Sequence, residues 1–130
     1  MNLFLYIQIT ETQEDVKFYN PIMAKLKENN LDIIIYDIDN HSESFLTGYA
    51  NKLIFDSDKK IVLIDTELNS NFSKLMPFLT NLFDNPDGIE IFIRGNNQKL
   101  EKMISVFTHF KVPETTHENE IFERILNKFL

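Results

Sequence analysis

Ile61-Val62-Leu63-Ile64 is apolar at four consecutive positions, with Lys60 before it and Asp65 after it. Side chains alternate between the two faces of a strand, so this run has no polar face to offer water. A strand of that kind is buried on both sides, as in a parallel sheet covered by helices. In open parallel sheets, ligands bind outside the carboxyl ends of the strands. Asp65 therefore marks the end of the sheet at which a site would open.

The rest of the chain alternates between the two periodicities. Leu3-Phe4-Leu5-Tyr6-Ile7-Gln8-Ile9 is nearly as apolar and reads as a second central strand. After it, Thr12 with Asp15 three residues on is a capping-box-like helix start. Val16, Tyr19, Ile22, Met23 and Leu26 then repeat at helical spacing. Pro21 either kinks that helix or opens a new one capped by Asn20. Asp32-Ile33-Ile34-Ile35-Tyr36-Asp37-Ile38 is the next strand, and Asp39-Asn40-His41-Ser42 a polar loop ending in a helix cap. Phe45, Leu46, Tyr49, Ala50, Leu53 and Ile54 form one broad helical face interrupted by Gly48, for which close packing on a neighbour is a reason.

After the central strand, Phe72, Leu75, Met76, Leu79, Leu82 and Phe83 define a third helix, in which Pro77 raises the same question as Pro21. Asn85-Pro86-Asp87-Gly88 is a turn and 89–94 a fourth strand. Leu100, Met103, Ile104 and Phe107 give a fourth helix, 108–112 a short edge strand before Pro113, and Ile121, Phe122, Ile125, Leu126 and Phe129 a last helix. Strand and helix thus alternate five times, without a linker or repeat. Right-handed crossovers then predict one domain over 1–130, a three-layer α/β/α sandwich on a five-stranded parallel sheet. With the two most apolar strands inside, the order 2-1-3-4-5 resembles the flavodoxin-like superfold.

Composition narrows the function. The 130-residue chain carries a net charge of −7 with scattered basic residues, which opposes binding to nucleic acid. It has no Cys, which excludes disulfides and thiolate chemistry. No apolar run reaches the length needed to span a bilayer, and Met1-Asn2-Leu3-Phe4 lacks the basic region of a signal peptide, so a cytoplasmic protein is expected.

Three families of that superfold can be compared residue by residue. Flavodoxins hold the FMN phosphate in a Gly- and Thr-rich loop after the first strand. Here the loop is Thr10-Glu11-Thr12-Gln13-Glu14, whose threonines fit but whose carboxylates and missing glycine do not, so FMN is not expected. Val62-Leu63-Ile64-Asp65 resembles the strand of response-regulator receiver domains that ends in the phosphorylated Asp. That resemblance implies Mg²⁺ held by an acidic pair after the first strand, which Thr10 and Glu11 supply only in part. It also implies a Ser or Thr after the fourth strand, where Arg94-Gly95 stands, and a Lys-Pro that Lys111 before Val112-Pro113 approximates. The resemblance then implies at most a degenerate receiver. Phe4-Leu5-Tyr6-Ile7 and the spacing to Asp65 are similar to TIR-type domains, but Phe72-Ser73-Lys74-Leu75 carries no catalytic Glu, so NAD cleavage is not implied.

In the order 2-1-3-4-5, one edge gathers Thr10, Glu11, Thr12, Asp65, Thr66, Glu67, Arg94, Asn96 and Asn97. Carboxylates with hydroxyls suit Mg²⁺, with Glu11 and Asp65 as its ligands. Arg94 would instead pair with Asp65 or bind a ligand's anion. The ordinary alternative is a polar rim with one ion pair. Asp37, Asp39 and His41 form either a metal site or the charges that keep an edge strand from aggregating. His109 and His117 have no partner at motif spacing. Phe107, Phe110, Phe122 and Phe129 crowd the last third of the chain. They form a protein-binding face or pack between the last helices and the sheet. The expectation is a non-enzymatic regulatory or protein-interaction domain, with a small-ligand or Mg²⁺ site around Asp65, Glu67 and Arg94 as the alternative.

Overall fold

β1 (Asn2–Ile9) and β3 (Lys59–Thr66) lie side by side at the centre of a parallel sheet, as their apolar sequences require. The computed structural model describes residues 1–29, 32–107 and 117–129. β2 (Ile33–Asp39) pairs with β1 and β4 (Ile89–Arg94) with β3, all parallel, in the order β2-β1-β3-β4. The sheet therefore has four strands among the described residues, where the sequence predicts five. The expected fifth strand, 108–112, lies outside the described residues. Its sequence signal is the weakest of the five, with fewer apolar side chains to bury than any paired strand.

Alternation along the strands divides the core in two. Leu3, Leu5, Ile7 and Ile9 of β1, with Val62, Ile64 and Ile91, meet α2 (Ser44–Asp56), α3 (Met76–Asp84) and α4 (Gln98–Ser105). Phe4 and Tyr6, with Ile61, Leu63 and Phe92, meet α1 (Pro21–Glu28) and α5 (Glu118–Phe129) on the other face. Helices thus cover both faces of the sheet, and β1 and β3 are buried on both.

Both prolines start helices rather than kink them. The start of the first crossover forms only a 3-10 turn at Gln13–Asp15, and the chain is extended at Val16. α1 then begins at Pro21, and the side chain of Asn20 accepts from the Met23 amide at 3.0 Å. In α3, Pro77 lies in the first turn, where a missing N–H costs nothing. The Ser42 hydroxyl accepts from the Asp39 amide at 2.9 Å and does not cap α2, which begins at Ser44. At Gly48 a methyl group would meet nothing within 4 Å, so close packing does not explain that glycine.

Candidate functional site

The parallel register sets Gln8, Asp65 and Arg94 in one row across β1, β3 and β4. One row below are Tyr6, Leu63 and Phe92. The strand period puts both rows on the face covered by α1 and α5. The carboxylate of Asp65 therefore sits directly above apolar core, and its partners come from the neighbouring strands. Arg94 donates to it through two nitrogens, Nε to Oδ1 at 2.5 Å and Nη2 to Oδ2 at 2.6 Å. Such a fork-to-fork pair is the strongest geometry available to arginine and carboxylate. Tyr6 adds its hydroxyl, donating to Oδ2 at 2.5 Å. The third guanidinium nitrogen reaches Glu118, at the start of α5, at 3.4 Å.

The pair is largely shielded, with side-chain exposures of 18% for Arg94 and 25% for Asp65. Its hydrogen bond and charge raise the pKa of Arg94 further, against the burial that lowers it. Burial, then the hydrogen bond and charge of Asp65, push the Tyr6 hydroxyl well above its ordinary value. A pKa raised by folding contributes stability that is complete below the unfolded pKa of about 10 and is lost as pH rises beyond it. Tyr6→Phe is therefore expected to flatten the alkaline limb of the stability curve. Urea melts above that pH that fall as steeply in the variant as in the wild type would remove Tyr6 as the cause.

An open cleft of about 290 Å³ lies beside this network. Tyr6, Asp65, Thr66, Glu67 and Arg94 line one side, and Thr10, Asp15 and Lys17 the other. Of the nine residues grouped from the sequence, Thr10, Asp65, Thr66, Glu67 and Arg94 line this cleft and Glu11, Thr12, Asn96 and Asn97 do not, and most of the group serves the fold. Gln8 accepts from the Lys17 amide and donates to the Lys17 carbonyl, at 2.9 and 2.8 Å, fixing the loop after β1. The amide and carbonyl of Thr10 bond the side chain of Asn40, and its hydroxyl donates to the Thr12 carbonyl. Thr12 donates to Asp15 through both its amide and its hydroxyl. Asn97 caps α4 through the Leu100 amide and donates to the Thr66 hydroxyl and the Ser70 carbonyl. The Asn96 carbonyl accepts from the amide of Asn69, whose φ of 52° is one that asparagine tolerates. Glu67 accepts from the Glu11 amide at 3.3 Å.

Among the described residues, no three His, Asp or Glu side chains converge in a way that could hold a metal ion. Both Asp65 oxygens already accept hydrogen bonds, and Glu11 meets the site through its backbone. Asp37 is exposed, and Asp39 accepts from the amide of His41 at 2.7 Å. The His41 ring turns to Thr10 instead, 3.1 Å from its hydroxyl. His117 precedes α5 and is exposed, while His109 lies outside the described residues.

Phe129 is buried among the α1 and α5 side chains, and Phe122 packs against the same cluster under the Lys25 ammonium. Phe107 packs on Phe83 at 5.8 Å between ring centroids. Phe110 lies outside the described residues. Two partners of the site were not foreseen from the sequence. Tyr6 and Glu118 meet Asp65 and Arg94 only through the strand register and the docking of α5, and neither carries a local signal.

Among the described residues, no helix is long and apolar enough to cross a membrane. No protein-family model, curated protein or solved structure matches the chain significantly.

Proposed function

We propose that the chain is a non-enzymatic regulatory or protein-interaction domain, flavodoxin-like in plan and receiver-like at Asp65 without the receiver's chemistry. The observation that carries this reading is the engagement of both Asp65 oxygens by Arg94 and Tyr6. A carboxylate acting as phosphoryl acceptor needs a free oxygen, and a positioned cation to neutralise the developing charge. Here its own protein neutralises it, and the neutralising group is permanently charged.

The test is incubation with acetyl phosphate and Mg²⁺, followed by intact-mass measurement. The expected result is an unmodified chain. A stable phosphoryl adduct that disappears in Asp65→Asn would overturn the reading.

The cleft of about 290 Å³ supports a second reading, a binding site for a small polar ligand that meets Lys17 as well as the carboxylates of Asp15 and Glu67. Lys17 lines that cleft and makes no ion pair with the described residues. A thermal-shift panel of nucleotides and small carboxylates decides for it if a stabilising ligand loses its effect in Lys17→Ala.

A further inference from the structure

We infer that this domain docks onto a second copy of itself, the loop after β1 of each chain lying in a groove between α3 and α4 of the other. The inference rests on the interaction-domain reading and names its partner.

The loop is the most conspicuous apolar projection on the described surface. Because α1 starts only at Pro21, Phe18 and Tyr19 fall outside any helix, 95% and 71% exposed. They are not loose ends. The two hydrogen bonds from Gln8 to the Lys17 backbone clamp the segment just before them, so the rings are held out to solvent by a fixed backbone. Glu11 and Glu14 precede them on the same loop, both exposed. The loop thus presents two aromatic rings on a segment of net negative charge, with Glu11, Glu14 and Asp15 against Lys17.

The groove has the opposite character. About 240 Å³ of space is floored by Phe72 and by Met76, which is 45% exposed, and rimmed by Lys99 and Lys102 one helical turn apart on α4. A neighbouring hollow of about 210 Å³ shares Asn71 and Ser73 with it and adds Lys74. None of these three lysines makes an ion pair with the described residues, although Glu11 lines the same hollow as Lys74. An apolar floor with three ammonium groups that pair with no described residue, in a chain of net charge −7, suits an aromatic segment on a loop of net negative charge. The chain itself supplies that segment.

Loop and groove stand at the same end of the sheet, where the strands finish. The loop shares its cleft with Arg94 and Gly95, so it reaches towards β4 on the α1/α5 face. The groove lies beyond β3 and β4 on the opposite face, with α3 and α4. A two-fold axis across this end of the sheet would exchange the two faces and bring each loop to the other copy's groove, the isologous arrangement most dimers adopt. The like net charges oppose association at long range, so the contact depends on this local pairing.

Sedimentation equilibrium of the full chain, from micromolar to near-millimolar concentration, tests it. A reversible monomer–dimer equilibrium is expected. The exposed-site variants F18S/Y19S and K99E/K102E should each weaken it about tenfold or more, as loss of an interface anchor does. Mixed together, they should associate more tightly than either alone, because one intact loop then meets one intact groove. Circular dichroism checks that both variants fold. A wild type that stays monomeric, a dimer insensitive to both variants, or a mixture no tighter than its components would overturn the inference. The broader interaction-domain reading is decided separately, by the chemistry at Asp65.

Discussion

Leu63→Ala is expected to lower the free energy of unfolding by about 2–5 kcal/mol, the range for truncating a fully buried leucine. Leu63 has no exposed surface. In its row of the sheet it sits between Tyr6 on β1 and Phe92 on β4, both fixed by strand pairing. Ile121, Ile125 and Phe129 of α5 and Ile22 and Leu26 of α1 belong to the same cluster. Strand backbones held on both sides cannot close over the missing side chain, so most of the cavity should persist. α5 could relax inwards, which would move the result towards the lower end. Urea melts with an unchanged m-value are the measurement. A loss under about 1 kcal/mol would show that the site collapses freely and that β3 is not the centre of the core.

The same residues show why the centre of the fold was legible. A run such as Ile61 to Ile64 has no polar face to leave in water, and an inner parallel strand buries both of its faces. β2 is almost as apolar at Ile33-Ile34-Ile35-Tyr36, yet it is an edge strand with those side chains only half-buried. The difference lies in Asp37, which is exposed where β3 has the buried Leu63 in the same row of the sheet. Helix starts were less legible. Pro21 is compatible with a kink or a first turn, and the choice falls to the Asn20 cap. Pro77 lies in an unbroken apolar periodicity that extends back to Phe72, but the first turn of that pattern is a 3-10 turn at Ser73–Leu75.

The candidate site divides the same way. Topology alone brings the strand ends together, so Asp65, Glu67 and Arg94 could be grouped in advance, and one cleft does contain all three. The Asp65–Arg94 pair was one of the readings the edge allowed, and the strand register decides for it. Gln8, Asp65 and Arg94 share a row because β1, β3 and β4 are staggered as they are. Tyr6 reads as one more apolar residue of β1 until that row is known. Glu118 reads as a solvent-facing helix residue until α5 is docked. The exposed pair Phe18 and Tyr19 was hidden for another reason. At helical spacing Tyr19 belongs with Ile22 and Leu26, and only the late start of α1 turns it outwards.

Gly95→Ala is expected to be among the most damaging single substitutions in the chain. Gly95 follows Arg94 directly and has φ +93°, a conformation that side-chain-bearing residues adopt rarely. That strain alone costs about 1–3 kcal/mol. The larger effect is steric. A methyl group there would lie 2.0 Å from the carbonyl oxygen of Thr66 and 3.1 Å from its carbon. The obstacle is backbone at the end of the central strand, so no side-chain rotation can relieve it. Either β4 must end earlier or the loop after it must lift away from β3. Both movements disturb Arg94, whose fork on Asp65 is built to hydrogen-bond length, and Asn97, which ties α4 to Thr66 and Ser70. A loss of stability beyond the strain term is therefore expected in urea melts, together with a shift of the Arg94 Nε–H resonance in NMR spectra. A variant as stable as the wild type, with that resonance unmoved, would show that the β4 exit is free to rearrange and that the close approach to Thr66 does not hold the Asp65–Arg94 pair in place.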